Sequence, residues 1–135
     1  DILPTLLFAT DQVIPQKLPG RSLWLSAIGE ERPPVRPVFG EVYPGDASSL
    51  GNPSKDVAYR WIRDGNLKLI VPHSQNDKPP WGGYLTKPAL FDVERNPDET
   101  RDLSDDPRYH DQRRSLRKKL DAWWTPGDDR IVPKL

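Results

Sequence analysis

The sequence predicts an α+β fold: a small antiparallel sheet of about four strands packed against a C-terminal amphipathic helix, with a helical and loop segment at the N-terminus. Three observations predict it. The runs VFGEVY (38–43), VAYRWIR (57–63), LKLIV (67–71) and ALFDV (89–93) are dense in β-branched, aromatic and other apolar residues, as half-buried strands are. Asp64-Gly65 falls between two such runs, which is the strongest short-range signal of a β-hairpin. After Asp106-Pro107, the residues Leu116, Leu120, Trp123 and Trp124 recur at helical spacing and define one apolar face.

At the N-terminus, Asp1 stands where it can cap a helix carrying Ile2, Leu3, Leu6 and Leu7, with Pro4 tolerated in the first turn. VIPQKLPGRS is a loop, because two prolines and Gly20 break any regular element. Leu23, Trp24, Leu25 and Ile28 suggest a short helical turn stopped by Gly29, and EERPPVRP is a proline-rich connector. In the central strand, Val57, Tyr59, Trp61 and Arg63 alternate with Ala58, Arg60 and Ile62. PHSQNDKPPWGGYLTKP (72–88) is long for a loop in a compact domain, a length usually tied to function. The final helix opens with Asp106 as N-cap and Pro107 at the first helical position, docks through its apolar face with Trp123 in the core, and stops before Pro126-Gly127. No internal repeat is visible.

Composition limits what such a chain can be. Hydrophobic residues make up 35% and charged residues 30% of the chain, and its 16 prolines favour short elements joined by stiff loops over a large core. Lys plus Arg and Asp plus Glu both number 20, so no overall field draws in nucleic acid or an anionic membrane, and neither is expected as a partner. No apolar run approaches the roughly 20 residues of a membrane-spanning helix. Without cysteine there is no disulfide, no thiolate nucleophile and no cysteine-based zinc site. The lack of any methionine, together with an opening at a helix cap, leads us to expect the later part of a longer protein.

The stretch LFDVERNPDETRDLSDDP (90–107) is the most distinctive in the chain. Its acidic residues invite a metal reading, but a calcium loop of the EF-hand kind needs a central glycine and a closing glutamate that are missing here. Turns and caps are the simpler reading: Asn96-Pro97 and Asp106-Pro107 start turns or helices, and Asp98, Asp105 and Asp106 can accept backbone hydrogen bonds there.

The same stretch resembles the segment LYDL..DP.ET.NLA near the C-terminus of type I sulfatases, the formylglycine-dependent branch of the alkaline phosphatase superfamily. DILPTLL resembles that family's D(I/L)xPTLL helix, LPGRSL its G.SL segment, RWIRDGNLKLI its..R.G.YKYI hairpin, and RRSLRKKLDAWW its final helix, in the family's order. The resemblance implies that residues 1–30 end the large sulfatase domain and that residues 31–135 form the C-terminal α+β subdomain. It also implies that the nucleophile, set in a Cys/Ser-x-Pro-x-Arg motif absent from this chain, lies upstream, as do the ligands of the calcium ion expected in the full-length parent. No catalytic residue and no metal ligand is therefore assigned within this chain. The implied partners are the upstream catalytic domain of the same protein and, through it, a sulfate ester, in the manner of an arylsulfatase-like sulfuric ester hydrolase. A phosphodiester or phosphonate hydrolase of the same superfamily and an independent, non-catalytic binding module are the alternatives. Compartment stays open, although many members of the family are exported.

Loops of the C-terminal subdomain line the substrate cleft in that family, which makes His73, Trp81 and Tyr84 the candidate substrate-binding residues. His73 follows a strand directly, where an imidazole can donate to a sulfate oxygen, and the alternative is an ordinary surface histidine. Trp81 and Tyr84 flank Gly82-Gly83, and their rings suit either stacking on a sugar or aryl group or pinning the loop to the core. Arg113, Arg114, Arg117, Lys118 and Lys119 share the final helix and read as a solvated face.

Overall fold

The computed structural model describes residues 1–18, 20–45, 48, 52–73 and 84–124. Two compact units are present, residues 1–35 and residues 36–135. The loop segment 74–83, with Trp81, and the expected stop at Pro126-Gly127 lie outside the described residues.

The first unit holds α1 (Ile2–Ala9) and the short α2 (Trp24–Ala27). Asp1 occupies the N-cap position, yet its carboxylate does not cap the helix: Oδ1 accepts the Arg21 N–H at 3.1 Å instead. Thr5 ties the same unit together, its hydroxyl accepting the Leu23 N–H at 2.8 Å while donating to the Asp1 carbonyl. Ile2, Leu3, Leu6 and Phe8 on α1 are all exposed.

The second unit is a sheet of four strands in the order β1-β2-β3-β4, every neighbouring pair antiparallel. The strands are β1 (Val38–Val42), β2 (Tyr59–Asp64), β3 (Leu67–Pro72) and β4 (Ala89–Asp92). β2 and β3 form the expected hairpin, with Tyr59 opposite Pro72 and Asp64 opposite Leu67. Its turn is displaced by one residue from the Asp-Gly signal. Asp64 still pairs as strand, and Gly65 and Asn66 make the bend; positive φ at Gly65 (60°) but not at Asn66 gives the II′ pattern, in which glycine is favoured at the first central position.

Strand alternation sorts the side chains onto two faces. Ile62, Leu69, Val71 and Leu90 point to one of them and meet Leu116 and Leu120 of α3 (His110–Trp123), with Leu103 completing the core. On the opposite face the indole of Trp61 lies over its cross-strand partner Gly40, where an added Cβ would fall 2.4 Å from the ring. Only glycine admits that contact without displacing the indole.

The acidic stretch serves turns and caps, though through different residues from those expected. Asp92, buried at the end of β4, accepts the backbone N–H groups of Glu94 and Arg95 on one oxygen and the Asn66 amide on the other. Asp102 reaches back to β4: its Oδ1 accepts the Leu90 N–H at 3.0 Å and the Ser104 N–H at 2.8 Å, and the Leu103 N–H donates to the Leu90 carbonyl. Asp106 accepts from Arg108 N–H as expected, opening a 3-10 turn (Pro107–Tyr109) that runs into α3. Asp105 instead pairs with the Lys87 ammonium, and Asp98 accepts no backbone bond among the described residues.

Trp123 is not the core residue that helical spacing suggests. It is 37% exposed and stacks on Phe39, ring centroids 4.9 Å apart and planes 9° from parallel. The reason is topological: β1 is an edge strand, so this ring covers the sheet's margin while Leu120 fills its centre.

Leu120→Ala should accordingly cost about 2–5 kcal/mol in denaturant unfolding, and Trp123→Ala about 1–2 kcal/mol, from a partly buried aromatic pair. Equal losses would show that the helix centre does not carry the core. Hydrogen bonds also hold several carboxylates below their ordinary range. For Asp102, burial pushes the pKa up, but the Leu90 and Ser104 N–H groups outweigh it; for Asp106, Arg108 lowers the value to about 2. A depressed carboxylate stabilises the fold above its unfolded pKa of about 3.9 and ceases to do so as pH falls through the folded value. An Asp102→Asn variant should lose less stability than the parent between about pH 4 and pH 2, measured by thermal midpoints across that window.

Candidate functional site

His73 is the first residue after β3, and its N–H donates to the Ala58 carbonyl at 2.8 Å, carrying the hairpin ladder one step further. Its imidazole falls on the α3 side of the sheet and meets the Trp124 ring edge-on, centroids 5.0 Å apart and planes at 71°. Burial, followed by the nearby Arg60 cation, holds the imidazole below its usual pKa, and a hydrogen bond with the Ser54 backbone works weakly the other way. The ring is therefore neutral at pH 7.

Arg60 is the centre of this cluster. It lies on β2 with only 7% of its surface exposed, and its guanidinium carbon sits 4.4 Å from the centroid of the Trp124 ring, a cation–π contact. Nη1 is 3.3 Å from Asp121 Oδ1, while the other Asp121 oxygen accepts from Arg117 Nε at 2.7 Å, so one carboxylate serves two arginines. Arg60 Nε is buried and has no hydrogen-bond partner. Burial lowers the guanidinium's pKa and Asp121 counters it; the group stays charged.

Trp124 reaches this position because α3 ends at Trp123. The next residue adopts an extended conformation, φ −100° and ψ 111°, which turns its indole toward β2. The adjacent tryptophans thus do different work, one on Phe39 and one between Arg60 and His73.

Tyr84 stands at the other root of the loop that His73 begins, and it is 82% exposed. The Leu85 N–H beside it donates to the Tyr59 hydroxyl at 3.3 Å, on the sheet face opposite Arg60. His73 and Tyr84 consequently share an end of the sheet without a contact between their side chains, and Trp81 lies between them in the segment outside the described residues. Arg60, Asp121 and Trp124 were not singled out from the sequence. One signal was available: alternation in VAYRWIR places Arg60 on the face of Ala58 and Ile62, and a cation on an apolar face must find partners.

This arrangement offers a neutral imidazole, a buried cation with a spare N–H, and an exposed phenol ring. Such groups bind and orient an anion or a sugar; none of them is an activated nucleophile. No three His, Asp or Glu side chains converge as a metal ion would require among the described residues, and Asp92, Asp102 and Asp106 are already engaged with backbone N–H groups.

No protein-family model matches the sequence, and no curated protein matches it either. Solved structures do match in fold. BT4656, solved in complex with its substrate D-glucosamine-2-N,6-O-disulfate, superposes with a TM-score of 0.65 at 20% identity, over 91% of this chain and 23% of its own. BT1596, described as a 2-O GAG sulfatase, gives 0.66 at 22% identity over the same shares, as does a candidate sulfatase from Bacteroides thetaiotaomicron VPI-5482. The chain has the fold of a segment found in these sulfatases and spans about a quarter of their length.

If burial and Arg60 together depress His73, replacing the cation should partly restore it. We expect the His73 imidazole to titrate below 6.5 by NMR, and to move upward in Arg60→Gln. Because the neutral ring is favoured in the fold, this group's stabilisation is complete above the unfolded pKa of about 6.5 and is lost as pH falls below it. An unshifted titration curve in Arg60→Gln would remove Arg60 as a cause.

Proposed function

We propose that this chain is the C-terminal part of a sulfatase, an α+β subdomain that shapes the outer wall of a sulfate-ester cleft while an upstream catalytic domain of the same protein supplies the nucleophile. The fold likeness carries this reading: sulfatase structures match over 91% of the chain while 23% of their own length is used, leaving the greater part of each to other structure. The exposed apolar side chains of α1 support it, since a short helix carrying Ile2, Leu3, Leu6 and Phe8 toward solvent is the kind of surface that further chain covers. The ester we favour is a sulfated saccharide, because the matched proteins' own descriptions name such substrates.

In this reading the chain's residues position the substrate. His73, neutral at pH 7, and the Arg60 cation behind it set a positive potential at one root of the 74–83 loop. Tyr84 offers an aromatic face for a sugar ring at the other root, and Trp81, in the sequence between the two, is the further aromatic candidate of this reading. Calcium, expected in the parent to clamp the sulfate group, is assigned to the upstream domain, because Asp92, Asp102 and Asp106 are used in this chain's own turns.

Groups that touch only the remote part of a substrate affect its binding and leave the reacting ester alone. In the full-length parent, Tyr84→Ala should raise KM severalfold for a sulfated saccharide and leave the kinetics of a minimal aryl sulfate unchanged; equal effects on both would count against a specificity role. The isolated chain of 135 residues should show no calcium-dependent turnover of an aryl sulfate above an inert protein. Turnover by the isolated chain would overturn the assignment of the chemistry to an upstream domain.

A further inference from the structure

A pocket of about 420 Å³ opens between α3 and the sheet, and it is lined by Leu69, Pro88, His110, Arg113, Arg114 and Arg117. Residues 110, 113, 114 and 117 stand three, four and seven positions apart and so project from one helix face. We propose that this pocket is a second binding site, one that takes an anionic saccharide unit bearing a sulfate group; the sulfate identity rests on the sulfatase reading, the anion preference on the pocket alone.

Charge bookkeeping favours an anion. Arg113 donates through Nη1 to the Ser104 carbonyl at 2.6 Å, a neutral acceptor that leaves its charge uncompensated. Arg114 is exposed and has no ion-pair partner among the described residues. Arg117 pairs with Asp121, but that carboxylate is shared with Arg60. Of the neighbouring acids, Asp105 pairs with Lys87, and Asp111 is largely exposed, 3.6 Å from the His110 imidazole at the pocket's edge. Three guanidinium groups therefore line the pocket with one direct carboxylate partner among the described residues, the shared Asp121, in a chain whose total charges balance.

The rest of the lining selects a saccharide over other polyanions. Pro88, with the edge of the buried Leu69 beneath it, gives an apolar floor for the C–H face of a sugar ring, and guanidinium forks above it match the paired oxygens of a sulfate. The volume lies in the range of small-ligand sites, roughly 300–1,000 Å³. Among the described residues no Trp, Tyr or Phe lines the pocket, so none of them offers a ring on which single-stranded nucleic acid stacks.

The test is an NMR titration of the 135-residue chain with D-glucosamine-2-N,6-O-disulfate, unsulfated glucosamine, inorganic sulfate and a short single-stranded DNA, at near-physiological salt. The disulfated sugar should shift the amides of residues 110–117, bind more tightly than inorganic sulfate, and lose roughly tenfold or more in affinity when Arg114→Gln and Arg117→Gln are combined. Unsulfated glucosamine should not bind. Arg114→Gln alone, at an exposed position, should give a partial loss with an unchanged thermal midpoint, which separates lost binding from lost folding. No shift on α3, indifference to the double substitution, sulfate binding as tightly as the sugar, or DNA binding as tightly as the sugar would each overturn the proposal. Failure here with sulfate-ester hydrolysis intact in the parent removes this site only. Binding here with no such hydrolysis in the parent removes the sulfatase reading and leaves an anion site.

Discussion

The carboxylate of Asp102 holds together the two halves of the second unit. A strand at the edge of a sheet presents N–H and C=O groups that need partners, and β4 is such a strand. Asp102 accepts the Leu90 N–H and Leu103 donates to the Leu90 carbonyl, so the chain that leaves β4 folds back and seals the same edge. The fold-back is sharp enough to require the left-handed conformation at Glu99, φ 52°, which costs a non-glycine residue some strain and persists only because neighbouring bonds fix it. Asn96 is one of those neighbours, its side chain accepting the Arg101 N–H at 2.8 Å.

Everything on the α3 face follows from that edge. Ser104 is brought down by Asp102 and offers its carbonyl to Arg113, which sets the start of α3 against β4. From there a helix of 14 residues crosses the sheet with Leu116 and Leu120 over Ile62, Leu69 and Leu90, and arrives at β1 with Trp123. Lys119 meets Asp64 on the way and Asp121 meets Arg60, so polar contacts fix the same crossing that the leucines fill. Trp124, one residue beyond the helix, then lands on the cluster of Arg60 and His73. The position of Trp124, which packs on Arg60 and His73, is thus set 22 residues earlier in the chain, at Asp102.

Much of this architecture was legible because it is local. Period-2 runs, a glycine between them and leucines four apart each report a short-range preference, and the strands, the hairpin and the last helix emerged where those patterns stand. The hairpin turn slipped by one residue because Asp-Gly and Gly-Asn overlap in DGN, and only the cross-strand pairing decides which pair bends. Trp123 was misjudged for a related reason: helical spacing tells which face a residue shares, but its burial depends on which strand lies beneath, and β1 is an edge strand. Asp92 and Asp102 went unnoticed beside the proline-flanked residues because their acceptor roles depend on tertiary contacts as well as local turns. The partners of His73 were hidden most completely, since Arg60 and Trp124 are 13 residues before it and 51 after it in sequence.

The division of labour between acids and bases then has a physical logic. A carboxylate that accepts two backbone N–H groups is satisfied and rigid, and moving it onto a metal or a substrate would orphan those donors at a cost of about 1–3 kcal/mol each. Asp92 and Asp102 are committed in this way to the frame of the sheet. Arginines carry five donors in a planar fork, so Arg113 can spend one on Ser104 and Arg117 one on Asp121 while keeping others to offer. A chain with equal numbers of acidic and basic residues can therefore present a cationic surface locally, where carboxylates such as Asp92 and Asp102 are held by backbone N–H groups and arginines such as Arg113 keep donors to offer. That local asymmetry, rather than net charge, is what the proposal of an anionic ligand on α3 rests on.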